Sequence, residues 1–169
     1  MEIVYYLTFN TNFGVAGLLY TNNPFKLTRI FLPQQNKDRF INDLKKNYCS
    51  IEKKNEKANI IAETIINYFE GNNIVIHRQY LDLSNFTKLQ QKVYYQTLEI
   101  PYGEVRLYAQ ISQLIGKPKA YRFVGSCMAI NPYPVFIPCH RVIRSDGLIG
   151  QYSGGNLLKQ KMIELEKRI

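Results

Sequence analysis

A cysteine stands directly before a histidine in the segment FIPCHRVIRSDG, residues 136–147. A thiolate is a strong nucleophile, and imidazole is the side chain best suited to take up a proton near neutral pH. Cys139 and His140 supply both, and Arg141 and Arg144 add positive potential that favours the ionised sulfur. An ordinary thiol, with a pKa of ~8.5, is only a few per cent ionised at pH 7, so such help matters. Free cysteine more often packs as a small hydrophobe. That is the reading for Cys49 and for Cys127, which sits in the small-residue run Gly125-Ser126-Cys127. Cys139 differs because Pro132, Pro134 and Pro138 stiffen the chain that leads to it. Neighbouring side chains of an extended segment face opposite ways, so contact between Cys139 and His140 requires a turn or a bridging water.

A catalytic histidine needs a third group to orient it. The last stretch, NLLKQKMIELEKRI, carries an apolar stripe at Leu158, Met162, Leu165 and Ile169, and Glu166 lies at its edge, able to reach inward to an imidazole. The alternative is an exposed glutamate beside Lys159 or Lys167. Before that helix, GQYSGG offers Tyr152 and Ser153 on a glycine-rich loop suited to a planar ligand, or simply a connector.

The elements that must position these groups fall into two parts. Short alternating runs in the first third, EIVYYLTF, GVAGLLYT and KLTRIFLP, predict a small antiparallel sheet. Helical spacing follows over 38–47 and over 56–69, the latter through Ile60, Ile61, Ile65 and Phe69. A further strand is predicted at NIVIHRQYLDL, and a polar junction near Ser84–Thr87 divides an α/β domain, 1–84, from a mainly helical domain, 85–169. In the second domain Leu89, Val93 and Leu98 mark one helix. Val105, Tyr108, Ile111 and Ile115 mark another that ends at Gly116. After the turn GKPK a helix runs from about Lys119 to Asn131-Pro132. Two short helices about a glycine-containing turn have the layout of a helix-turn-helix, with Lys117, Lys119 and Arg122 at the end that faces nucleic acid in such hairpins. The fold class is therefore α+β.

The chain has 169 residues, 46% of them apolar, and a formal charge of +9, which favours a polyanionic partner. Between Pro101 and Gly150 six basic residues, Arg106, Lys117, Lys119, Arg122, Arg141 and Arg144, face only Glu104 and Asp146. Three cysteines without a CxxC, and two histidines, match no metal-ligand spacing and no disulfide framework. The N-terminus lacks the pattern of a signal peptide and no apolar run is long enough to span a bilayer. A cytoplasmic protein is expected, nuclear if eukaryotic, without metal or cofactor.

The runs NPYPVFIPCHRVI, GLIGQYSGG and LLKQKMIELE, with IPYGEVRLY and GKPKAYRFVG before them, closely resemble the O6-alkylguanine-DNA alkyltransferases over about residues 85–169. The likeness is looser over the first 80 residues. It implies that Cys139 accepts an alkyl group from O6-alkylguanine, or from O4-alkylthymine, in double-stranded DNA, irreversibly and once per molecule. It further implies that His140 acts as base through a water and is oriented by Glu166, that Asn131 holds the turn, and that Tyr108 donates to the departing guanine. Ser153 is implied near O6, the carbonyls of Cys139 and Val142 at the exocyclic amine, and Arg122 in the gap left by the extruded base. Gly125 and Ser126 would let the hairpin enter the minor groove, with Lys119 and Tyr152 completing the DNA- and base-facing set. The resemblance implies a monomer with no membrane partner and no zinc site. Leu89, Tyr94 and Leu107 stand where the family often has an aromatic residue, tryptophan and serine. Three rivals remain: a lesion-sensing DNA-binding protein that transfers nothing, a thiol-bearing transcription regulator, and a thiol hydrolase.

Overall fold

The computed structural model describes residues 3–48, 51–150 and 152–167 and divides between Asp82 and Leu83 into two units. In the first, the alternating runs pair as a meander of β1 (Tyr5–Thr11), β2 (Gly14–Asn22) and β3 (Phe25–Gln34). The β1–β2 hairpin turns at Gly14, whose φ of 123° and whose approach to the Gln34 carbonyl leave no room for a side chain. Six consecutive residues of β2, from Ala16 to Thr21, are buried, which requires cover on both faces. Helix α1 (Lys37–Tyr48) covers one, setting Phe40 and Leu44 against Tyr6 and Leu19. Helix α2 (Glu56–Phe69) packs against β1 and β2 and buries Ile61, Ile65, Tyr68 and Phe69; its N-terminus is capped by the Asn55 side chain. Ile60, expected on that face, is 39% exposed.

Two expectations are corrected here. The sheet is mixed rather than purely antiparallel, because β4 (Ile51–Glu52) lies parallel to β1 in the order β3-β2-β1-β4. Helix α1 carries the chain back along the sheet, so the strand after it must run in the same direction as β3 and β1. Residues 73–83 form no strand, only a single 3₁₀ turn at Arg78–Tyr80. Side-chain contacts hold this segment instead: His77 to Thr64, Tyr80 edge-on to Phe25 at 5.5 Å, and Asp82 paired with Lys26.

In the second unit α3 (Lys88–Leu98) starts at a capping box formed by Thr87 and Gln90. Strands β5 (Arg106–Leu107) and β6 (Val142–Ile143) pair in parallel. Helix α4 (Tyr108–Leu114) begins only at Tyr108, so Val105 precedes it rather than joining its apolar face. It stops where Gly116, at φ 73°, lets the Gly116 and Lys117 amides bond back to Gln113 and Ser112. The hairpin continues into α5 (Tyr121–Ala129), and α6 (Asn156–Glu166) closes the unit. Among the described residues no helix is long and apolar enough to cross a membrane.

Candidate active site

The chain from Pro132 to Val142 is buried throughout. Asn131 ties it together: its amide donates to the Ile137 carbonyl at 2.9 Å and its side-chain oxygen accepts from the Tyr133 amide at 2.9 Å. Between those anchors Val135 has φ 74°, a conformation a β-branched residue adopts only when its surroundings impose it. The chain then enters a 3₁₀ turn, Cys139–Arg141, closed by the Arg141 amide on the Pro138 carbonyl at 2.9 Å. Successive side chains of such a turn diverge by about 120°. Cys139 therefore faces one set of partners, and His140 and Arg141 another.

The second set converges on Glu166 at the end of α6. Oε1 accepts from His140 Nε2 at 2.6 Å and from Arg141 Nη2 at 3.1 Å. Oε2 accepts from Arg141 Nε at 2.9 Å and from the Gly103 amide at 3.1 Å. Arg141 also donates to the Ile100 carbonyl at 2.7 Å and lies over the Tyr102 ring. Burial alone would raise the Glu166 pKa, but the hydrogen bond and charge of His140, then those of Arg141, hold it at about 2. Burial depresses the His140 pKa, Glu166 opposes that, and Arg141 and Lys159 add to it; the net shift is downward. The pair at neutral pH is thus a carboxylate and a neutral imidazole. Because an ionised carboxylate only accepts, Nε2 carries the proton and the buried Nδ1 is the basic nitrogen.

Cys139 is 1% exposed, and its sulfur lies 3.8 Å from the Tyr152 hydroxyl. Burial raises its pKa; hydrogen bonds from Asn131 and Tyr152 and the charge of Lys159 only partly offset this. The ionised sulfur that its basic neighbours favoured in the sequence is therefore corrected to a buried thiol whose pKa lies above the ordinary value. Its expected cations are committed elsewhere, Arg141 to Glu166 and Arg144 to Asp146 at 2.7 Å. Buried Arg141 also drops out of the basic surface assigned to it from the sequence.

The cation whose charge acts on the sulfur is Lys159. It is fully buried, donates to the Val142 carbonyl at 2.6 Å and to the Tyr108 hydroxyl at 3.5 Å, and lies within 5.6 Å of the Tyr108 and Tyr152 ring centres. Burial lowers its pKa to about 8 against the raising effect of Cys139. From the sequence Lys159 entered only in the alternative reading, as one of two lysines beside an exposed Glu166. Its one signal is position: it lies three residues before Met162, inside the buried stripe, whereas Leu158 is only half-buried.

Above these groups opens a cavity of about 330 Å³, lined by Tyr108, Met128, Ala129, Tyr152, Ser153, Asn156 and Lys159. It falls at the small end of ligand pockets, the scale of a single base. Tyr152 belongs both to its wall and to the sulfur's surroundings. The Cys139 and Val142 carbonyls each already accept one bond, from the Val142 amide and Lys159, and each retains a second lone pair. Arg122, Lys119 and Ser126 lie exposed on the hairpin, outside the cavity. Gly125 stands against the Tyr108 ring, and a Cβ there would meet nothing closer than 4.0 Å. Cys127 is buried, and burial raises its pKa to about 11, as suits a packing residue. Cys49 and Ile169 lie outside the described residues. Among the described residues no cluster of metal-binding side chains forms.

Residues 88–168 match the family model described as 6-O-methylguanine DNA methyltransferase, DNA binding domain. Over 81 residues the chain is 47% identical to a methylated-DNA–protein-cysteine methyltransferase of Methanosarcina barkeri, a stretch covering 48% of this chain and 51% of that protein. The match thus spans about half that relative's length. The structure of the Mycobacterium tuberculosis O6-methylguanine methyltransferase superposes with a TM-score of 0.73 at 30% identity, over 98% of this chain and 93% of that one. A complex of the M. tuberculosis protein with DNA superposes with a TM-score of 0.72 at 30% identity, over 96% of this chain and 92% of that one.

Proposed function

The chain belongs to the O6-methylguanine-DNA methyltransferase family, and we propose that it repairs DNA by moving the alkyl group of O6-alkylguanine, irreversibly and once per molecule, onto Cys139. One observation carries this reading. A cysteine sulfur meets the wall of a base-sized cavity while the next residue is a neutral imidazole held by a carboxylate.

A damaged base inside a duplex cannot be reached, so it leaves the stack at a cost of a few kcal/mol. Arg122 fills the vacated position, Lys119 meets phosphate, and the small residues Gly125 and Ser126 admit the hairpin to the minor groove. The base occupies the cavity between Tyr108 and Tyr152, with Ser153 near O6 and the Cys139 and Val142 carbonyls toward the exocyclic amine. The Cys139 proton passes through a water to His140 Nδ1, and Glu166 stabilises the imidazolium that results. The sulfur then forms a bond to the alkyl carbon as the carbon–O6 bond breaks, its electron pair remaining on guanine. Tyr108 donates the proton that neutralises the departing guanine, and Lys159 replaces it. The product is a thioether. Residues 85–169 carry these steps; the protein acts as a cytoplasmic monomer, nuclear if eukaryotic, without a cofactor.

The shielded resting thiol fits this order of events. Burial raises the Cys139 pKa, which favours the protonated sulfur at rest and shields a group that is used once. A sensor that binds lesions without transfer is disfavoured by the presence of Cys139 in this setting. Intact-protein mass after incubation with a duplex carrying O6-methylguanine tests the proposal. A gain of one methyl is expected; tight lesion binding with unchanged mass would favour the sensor.

A further inference from the structure

The first turn of α5 exposes a large ring that the steps above do not use: Tyr121, 48% exposed, immediately before Arg122. A single exposed aromatic residue is unremarkable on most surfaces. Two features set this one apart. Residues 105–145 contain no aspartate or glutamate, and the exposed charged residues next to Tyr121 in the chain are Lys117, Lys119 and Arg122, so the hairpin tip is matched to polyphosphate. Tyr121 also heads a helical face, continued at four-residue steps by Gly125 and Ala129. Ala129 lines the base cavity and Gly125 lies against Tyr108, which lines it too. At 1.5 Å per residue, the face leads from the cavity to Tyr121 in about 12 Å.

Along that face the side chains are small except at the tip. A ring in the middle of it would hold the helix off a duplex. At the tip, beside the arginine, a ring can enter the groove. We propose that Tyr121 is a second wedge, packing its ring against the sugar and base edge of the nucleotide flanking the position that Arg122 fills. This rests on the transfer reading above. Apolar and aromatic side chains inserted at base steps stabilise a distorted duplex through surface that the undistorted one hides.

The test compares wild type, Tyr121→Ala and Tyr121→Phe by rate of methyl transfer from O6-methylguanine in a duplex and from the free methylated base. Tyr121→Ala is expected to slow the duplex reaction about 10-fold, the order of one lost base–aromatic stack, without slowing the free-base reaction. Tyr121→Phe should match wild type on both. An unaffected duplex rate for Tyr121→Ala, an equal loss on both substrates, or a loss for Tyr121→Phe as large as for Tyr121→Ala overturns the proposal. If wild type itself takes no methyl from the duplex, the transfer reading has failed. Duplex affinities of the same three proteins then decide the ring's contact separately.

Discussion

Glu166 does two jobs with one carboxylate, and the donors from His140, Arg141 and Gly103 that converge on it explain why it stays charged in a buried site. It fixes the His140 tautomer and it anchors Arg141 to the Ile100–Gly103 turn. Glu166→Gln leaves Arg141 buried without its counter-charge, which should cost roughly 3 kcal/mol of stability and slow transfer as the imidazolium formed on His140 loses the charge that stabilises it. Urea titration and single-turnover kinetics check the two effects. The pH dependence follows from the same groups. With Glu166 at about 2 in the folded chain and near ~4.3 unfolded, its contribution is complete above ~4.3 and is lost as pH falls through 2. His140, depressed from 6.5, works in the same direction, because below 6.5 the unfolded chain takes up a proton that the folded one resists. The urea midpoint should therefore fall progressively as the solution is acidified below 6.5; a midpoint flat down to about pH 3 would contradict the assignment. The adjacency of Cys139 and His140 was legible in the sequence because their types are distinctive, whereas the place of Glu166 at the edge of the apolar stripe allowed an inward or an exposed side chain, and the structure takes the inward one. Lys159 and Arg141 were not legible. A buried cation is readable only from partners that lie far away in the chain, here Val142 and Tyr108 for the lysine and Ile100 for the arginine.

The α4–α5 hairpin brings two requirements into conflict at one position. Gly125 has an ordinary helical conformation and room for a Cβ, so nothing inside the protein demands glycine there. Alanine is the better helix former by about 1 kcal/mol. Gly125→Ala should accordingly raise the unfolding midpoint while weakening repair of duplex DNA, because the added methyl stands between the helix and the groove. A gain in stability with undiminished duplex repair would show that this face is not an approach surface. Arg122→Ala acts on the other side of the same element: it should slow repair in the duplex more than reaction with the free base, and equal losses would rule out gap filling. The hairpin was readable because its helices repeat apolar residues locally and Gly116 marks a stop. Strand β4 was not, since two residues carry no period and their pairing depends on α1 returning the chain. Residues 73–83 erred the other way: their β-branched residues suit a strand, yet the docking of His77, Tyr80 and Asp82 decides their path.

Charge is distributed unevenly over the molecule. From Leu83 onward lie 12 of the 22 basic residues but only five of the 13 acidic ones, a net +7 of the total +9. The unit with the cavity is thus the unit suited to phosphate, and counterion release should dominate its DNA affinity. Raising salt from about 50 to 200 mM should weaken duplex binding steeply, and Lys119→Ala should reduce the slope of log affinity against log salt by about 1. A slope that Lys119→Ala leaves unchanged would remove that residue from the interface. The central claim, that one sulfur is consumed per lesion repaired, is tested most directly by stoichiometry. Wild type is mixed with excess duplex bearing O6-methylguanine, lesion loss is followed to its plateau, and the protein is mapped for methylated peptides. The account predicts a plateau at one lesion per protein molecule, with the methyl on Cys139 and no reaction by Cys139→Ala. Continued turnover beyond that plateau, or a methyl on any other residue, would contradict it.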